Sequence, residues 1–368
     1  MPVIGWEILE PFVRDSFMAC GVPAGDAAIC ADVLLESDRR GIESHGVNRF
    51  KPIYIDRIRE GRQSPVTGAE IIKETPATAV IDGNHGMGQV TAHKAMSMAI
   101  EKAKKVGLGM TAVRNSTHFG IAGYYCSMAV DAGCIGMVGT NARPSTAPAH
   151  GVENLLGTNP LSFGIPTDDP FPFMLDCATS ITQRGKIESD ARQGKDTPRG
   201  HVITPDGHLL TDSEEILKAL TDGTAALAPL GGAGDDNGGY KGYGYATVVE
   251  ILSAALQSGQ FLRALSGFDA EGGKIKYGLG HFFLAIDAEA FMGLDDLKRT
   301  AGMICRQLRE SKKAPGYDRI YTAGELEYLT WLERKHSGVP VNESVMRELI
   351  EIRDTLELSK DKFPFESL

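Results

Sequence analysis

The 368-residue sequence is short of the features that mark several large protein classes. Its six cysteines (Cys20, Cys30, Cys126, Cys134, Cys177, Cys305) form no CxxC pair. That spacing gives neither a disulfide framework nor a metal site, and scattered thiols point to a reducing, cytoplasmic compartment. No window approaches the roughly 18 consecutive apolar residues of a membrane span. The opening MPVIGWEILEPFVRDSF carries acidic residues inside its apolar run, which a secretory signal does not tolerate. Positive charge is in deficit, with 38 Lys and Arg against 48 Asp and Glu and a formal net charge of −10. A nucleic acid or an anionic membrane is therefore a poor partner. There is no Walker loop, no HExxH, no internal repeat and no low-complexity tail. One GxGxxA match, Gly107 to Ala112, follows a helix pattern and enters a strand, the reverse of the context a dinucleotide fingerprint needs. Any dinucleotide site must be built another way.

What is present is an α/β pattern organised around a polar turn. An apolar run from Met110 to Val113 leads into Asn115-Ser116-Thr117-His118-Phe119-Gly120, then a helix pattern that closes at Gly133. Strand, turn, helix is how α/β proteins present groups to a ligand. His118 in that turn either serves a ligand or bonds its own turn. A second polar cluster ends the second of two helices predicted over residues 5–20 and 24–38. There DRRGIESHGVNRF (38–50) crowds Glu43, Ser44, His45, Asn48 and Arg49 into a segment interrupted by Gly41 and Gly46. Buried hydrogen-bonding groups each need a partner, so the segment is either a site or a solvated loop.

Elsewhere, helical spacing predicts elements over 52–58 and 89–106, the latter with Ala92, Met96, Ala99 and Ala103 on one face. Strands are predicted over 69–73, 77–81, 134–140, 161–165, 171–176 and 280–286. Asp176 closes its strand, and Thr179 and Ser180 either cap the next helix (182–193) or donate to an anion at its start. Pro205-Asp206-Gly207 marks a hairpin. The glycine-dense stretch from Gly231 reads as a flexible linker. Lys241, placed before an apolar helix over 246–256, offers an anion site. Charged helices over 294–312, 323–335 and 342–356 make an outer layer or a subunit contact. We expect residues 1–75 to pack with 290–368, around a cofactor-binding and catalytic α/β core of residues 76–289.

Six motifs in order span nearly the whole chain: SHGVNR (44–49), NSTHFG (115–120), GTNPLSFGIP (157–166), MLDCATS (174–180), YKGYG (240–244) and YTAGE (321–325). On these the sequence resembles the type-2 malate/L-lactate dehydrogenase family of NAD(P)-dependent 2-oxoacid reductases, which includes sulfolactate and ureidoglycolate dehydrogenases. The resemblance implies a non-Rossmann α/β fold, a mixed sheet wrapped by helices, working as a homodimer with the site near the subunit contact. It implies NAD or NADP as cofactor, with NAD favoured, and no metal.

Residue by residue, the resemblance makes His45 the acid/base and Ser44 its relay partner, and Arg49 the carboxylate clamp. His118 is the proton acceptor in some relatives. Thr158, Arg184 and Gly185 become substrate contacts. His118, Phe119, Gly120, Ile121, Ala122, Asp176, Cys177, Ala178, Lys241, Gly242, Ala323, Gly324 and Glu325 become cofactor contacts. Lys186 joins the catalytic set, and in place of an acidic residue it favours an anionic hydroxyacid over a cationic imine. Arg143, where many malate-type members have a small hydroxyl residue, is placed to touch a phosphate or a second carboxylate. The expected activity is malate/oxaloacetate or lactate/pyruvate interconversion. The alternatives are a reductase of a cyclic imino acid or diketo sugar acid, and an inactive dinucleotide-binding scaffold.

Overall fold

The computed structural model describes residues 2–365, apart from the side chain of Ser189. A two-residue strand β1 (Val3–Ile4) leads into helices α1 (Trp6–Ala19) and α2 (Ala24–Arg39). Two tight turns, Glu43–His45 and Val47–Arg49, pass into a wide π-helical turn, Phe50–Ile55, and the short helix α3 (Asp56–Arg59). Where spacing predicted a single helix over 52–58, the backbone is underwound into the π-helical turn as far as Ile55 and becomes α-helical only from Asp56. The main sheet opens with β2 (Glu70–Glu74), β3 (Thr78–Asp82), α4 (Gly88–Val106) and β4 (Leu108–Ser116). It continues through α5 (Ala122–Asp131), β5 (Cys134–Thr140), β6 (Leu161–Ile165) and β7 (Phe173–Cys177). A small lobe follows, of α6 (Arg184–Arg192), β8 (Val202–Ile203), β9 (Leu209–Leu210), α7 (Ser213–Asp222) and β10 (Ala226–Leu227). Helix α8 (Gly239–Ala254) and β11 (Leu279–Asp287) return to the sheet. The chain ends on α9 (Leu294–Glu310), α10 (Glu325–Ser337), β12 (Val339–Pro340) and α11 (Glu343–Thr355).

The seven-stranded sheet runs β2-β3-β4-β11-β5-β6-β7. Only β3 and β4 pair in parallel; every other pair in it is antiparallel. This is the mixed, helix-wrapped sheet expected. β2 pairs with β3 across residue 75, and β1 pairs with β12, bringing the two ends of the chain together. A helical core joins α1 and α2 to α11 through Phe12, Phe17, Phe50, Leu349 and Phe363. A second core lies between the sheet and helices α4 and α5, and a third holds the small lobe around Ile187, Val202 and Ile216.

Small residues set the helix-to-sheet distance. The buried Ala92, Ala95, Ala99 and Ala103 stripe of α4 lies on β4, where a Cβ on Gly109 would stand 1.9 Å from the Ala99 carbonyl oxygen. The glycine-dense stretch proves not to be a linker. A Cβ on Gly239 would meet the Gly232 oxygen at 1.9 Å, and one on Gly242 the Leu230 oxygen at 2.1 Å. Two backbone segments touch there, and only glycine permits the approach. The helix therefore starts seven residues before Ala246, and Lys241 sits inside its first turn. Thr179 and Ser180 cap no helix either. Thr179 Oγ1 donates to the carbonyls of Thr158 and Asn159, and Ser180 Oγ to that of Thr182, while Gln183 is the residue before α6.

Candidate active site

A cavity of about 560 Å³ opens where the helical core, the sheet and the small lobe meet. One wall is the segment after α2. Asp38, 1% exposed, accepts the Val47 N–H at 2.9 Å, and Gly46 packs directly on its carboxyl group. The two tight turns are thereby folded back on α2, and they carry Ser44, His45 and Arg49 into the cavity. Ser44 Oγ lies 2.9 Å from His45 Nδ1, and Arg49 Nε donates to the Ser44 carbonyl at 2.8 Å. Arg49 itself lines the cavity.

The facing wall is the turn between β4 and α5. Tyr54, buried in the helical core, places its hydroxyl 2.7 Å from His118 Nδ1. The Gly120 N–H donates to the same Nδ1 at 3.3 Å. An N–H can only donate, so Nδ1 carries no proton and the neutral ring holds it on Nε2. The rings of His45 and His118 stack 5.6 Å apart, 19° from parallel.

Both histidines are neutral near pH 7. Burial, and then the Arg49 charge, pulls His45 down to about 4. Burial, then His45 and the nearby arginines, holds His118 well below the usual histidine value. The arginines in the wall fall into two kinds. Arg40 is matched by Glu36, and Arg184 by Glu188 and Thr221. Arg49, Arg57 and Arg143 have no carboxylate partner among the described residues. Uncompensated cations at a partly buried surface are costly, so this wall is built for an anion. Elsewhere in the wall the sign reverses. Asp176 accepts the Gly123 N–H at 2.7 Å, and burial, with Glu327 nearby, raises it to about 6.

Residues 4–350 match the sequence profile described as malate/L-lactate dehydrogenase. The chain belongs to the malate/L-lactate dehydrogenase family. It is 42% identical over 344 residues to the malate dehydrogenase of Pyrococcus horikoshii, covering 94% of this chain and 92% of that one. To the L-sulfolactate dehydrogenase of Methanocaldococcus jannaschii it is 37% identical, over 97% of this chain and 99% of that one. The solved malate dehydrogenase from Entamoeba histolytica superimposes with a TM-score of 0.93 at 42% identity, covering 97% and 99% of the two chains. The protein is accordingly a dehydrogenase acting on a CH–OH group, and such relatives imply a nicotinamide cofactor.

Most of the residues singled out in the sequence do converge. Ser44, His45, Arg49, His118, Gly120, Ile121, Ala122, Thr158, Asp176, Cys177, Ala178, Arg184 and Gly185 all line the cavity. Others do not. The Phe119 ring turns into the core, stacked between Tyr125 and His281 at 5.1 and 4.5 Å. Lys186 points outward onto Asp190, outside the cavity wall, so the charge argument built on it loses its geometric basis. Lys241 and Gly242 lie on α8 away from the wall. Ala323, Gly324 and Glu325 stand behind β7, where the Ala323 carbonyl accepts the Met174 N–H and Glu325 is held by Arg319. Met174 and Glu327 are what reach the cavity from that side.

Sequence reasoning missed Asp38, Tyr54, Arg57 and Tyr277. Tyr54 and Arg57 hid in an apolar helical pattern, and Tyr277 stood in an irregular loop with no signal.

The wall fits a dinucleotide. Gly120, at φ +83°, passes so close to α2 that a Cβ would meet Val33 Cγ1 at 2.6 Å, and Gly123 is pressed on Asp176. Bare backbone, the small side chains of Ala122 and Ala178, and the carboxylates of Asp176 and Glu327 suit an extended polar ligand carrying hydroxyl groups.

Proposed function

We propose that the protein interconverts malate and oxaloacetate with NAD as cofactor, and that His45 is the acid/base. The observation that carries this reading is the Ser44–His45–Arg49 unit: a proton carrier beside an arginine with no carboxylate partner, in a cavity shared with a second histidine. The bound nicotinamide supplies or accepts the hydride. The chain must hold a carboxylate, move one proton and exclude water. Arg49 offers its Nη fork to the substrate C1 carboxylate, a two-pronged contact suited to guanidinium. His45, neutral in the free enzyme, accepts the hydroxyl proton in the oxidative direction. In the reductive direction, a substrate carboxylate on Arg49 offsets the smaller of the two causes that lower His45, so the ring holds the proton it donates more readily than in the free enzyme. Ser44 Oγ at Nδ1 fixes the ring. His118, with its proton on Nε2, is placed to hydrogen-bond the same substrate oxygen.

NAD is proposed over NADP because Asp176 and Glu327 favour a ribose diol and disfavour an added phosphate. A cationic cyclic imine suits the unpaired arginines poorly, and an inactive scaffold has no use for the paired histidines. We also propose a homodimer, supported by the exposed Tyr240, Tyr243, Val248 and Ile251 of α8, and a cytoplasmic location, supported by six unpaired thiols. Nicotinamide absorbance at 340 nm, followed with NADH or NADPH against oxaloacetate, pyruvate and piperideine carboxylate, tests the reading. A higher kcat/KM for the imine than for either oxoacid refutes it.

A further inference from the structure

Arg57 and Arg143 have no role in the chemistry described above, yet both line the same cavity. Arg57 projects from α3, and its guanidinium lies 4.2 Å over the Tyr277 ring. On that same ring, at 4.7 Å, lies Arg62. Arg62 has polar partners as well: it donates to Tyr277 Oη at 2.8 Å and to the Gly267 carbonyl at 3.2 Å, and Glu60 stands 3.6 Å away. Among the described residues, Arg57 has only the ring face. A guanidinium stacked on an aromatic keeps its in-plane N–H donors free for a ligand. Arg143, in the loop after β5, lines the same cavity and its charge acts on Arg57, and it too has no carboxylate partner among the described residues. Two like charges thus share one cavity wall, with no carboxylate partner for either among the described residues. That arrangement is unfavourable until an anion sits between them.

We propose that Arg57 and Arg143 form a second anion site in the catalytic cavity, which takes the distal charged group of a dianionic 2-oxoacid or 2-hydroxyacid. The proposal rests on the 2-hydroxyacid reading and sharpens it, since Arg49 is left to hold the carboxylate next to the reacting carbon. The distal group is recognised as two or more anionic oxygens, which a carboxylate and a sulfonate both provide. Specificity then lies in the charge at the far end of the substrate. A three-carbon monoanion such as pyruvate leaves the second site unmatched.

The test compares kcat/KM for oxaloacetate, 3-sulfopyruvate, pyruvate and 2-oxobutyrate in the wild type, Arg57→Gln and Arg57→Lys. In the wild type both dianions are preferred. In Arg57→Gln the preference for oxaloacetate over pyruvate falls about ten- to a hundredfold, chiefly through KM, the loss expected for one charge-assisted hydrogen bond. Arg57→Lys restores part of it. Whether oxaloacetate or sulfopyruvate suffers more tells which distal group the site was shaped for. Should Arg57→Gln fail to fold, Arg143→Gln, a change at an exposed residue, carries the same comparison. A selectivity ratio that stays within threefold of wild type in the folded variants overturns the proposal, as does a wild type that prefers pyruvate. Calorimetric titration with succinate and with butyrate, NAD present, separates this failure from that of the underlying reading. If the wild type reduces no oxoacid but binds succinate in an Arg57-dependent way, the anion site stands and the 2-hydroxyacid reading falls. If it binds neither, the anion site falls.

Discussion

Asp38 offers a test in which the magnitude follows from the structure. Its carboxyl is enclosed, with Gly46 against one face and Val47 N–H as its hydrogen-bond donor. Burial raises it from 3.8 to about 7; the Val47 bond opposes that, Glu43 adds to it, and Arg334 and Arg39 oppose it. A folded value above the unfolded one means that the native state binds the extra proton between pH 3.8 and 7. Stability from this group is therefore fully present below pH 3.8 and is lost as pH rises through 7. At about 1.4 kcal/mol per pH unit, that interval amounts to about 4 kcal/mol. Asp38→Asn keeps an oxygen for the Val47 N–H and removes the titration. The variant's advantage over wild type in urea unfolding should grow from pH 4 to pH 7 and level off by pH 8. Taking the difference between the two proteins cancels the depressed histidines, which lose stability in the opposite direction as pH falls below 6.5. A variant whose deficit or gain is the same at pH 4 and pH 8 refutes the reasoning, because it means that Asp38 is ionised throughout.

Three shorter expectations accompany it. His45→Gln should lower kcat by about 10²-fold or more while cofactor affinity by calorimetry stays near wild type, and near-normal turnover would move the proton to His118. With His45 held at about 4, kcat/KM for malate oxidation should be flat above about pH 5. In Arg49→Gln the acid limb should move up towards, but short of, the free-histidine value, because burial is the larger cause. Gly109→Ala should destabilise the fold by roughly 3 kcal/mol or more, read as a fall in the denaturant midpoint, because its Cβ would meet backbone at 1.9 Å.

The sheet and its helices were legible because their signals are local. β5 and β6 match the predicted ranges, and α4 and α5 show their apolar faces at helical spacing. The failures are those of local reasoning. Glycine density at 231–244 normally means freedom, but here Gly239 and Gly242 are fixed by carbonyls of Gly232 and Leu230, a contact between segments that composition does not reveal. Thr179 and Ser180 were open between capping a helix from Thr182 and donating to an anion at its start. That helix begins at Arg184, and both hydroxyls go to loop carbonyls instead. The pairing of β1 with β12 joins residues more than 330 positions apart, and no short-range pattern encodes it.

The site was legible in a different way. His45 and His118 stood out as polar residues in turns, but each half of the pair had a bland explanation, a solvated loop or a self-bonded turn. The structure adds what neither segment shows alone: the two rings stack at 5.6 Å although 73 positions separate them, while His118 also accepts the Gly120 N–H of its own turn. Charge shows the same gap between average and place. A net charge of −10 is an average over the whole chain, and as such it argues against large anionic partners. It says nothing about a cavity of about 560 Å³, where short-range interactions outweigh the screened field of distant carboxylates. Arg49, Arg57 and Arg143 are three of the chain's 38 basic residues, drawn from a tight turn, a short helix and the loop after β5. Gathered without carboxylate partners around two neutral histidines, they make an anion site in an acidic protein. Sequence spacing could not have shown it, because the property belongs to the meeting of three cores.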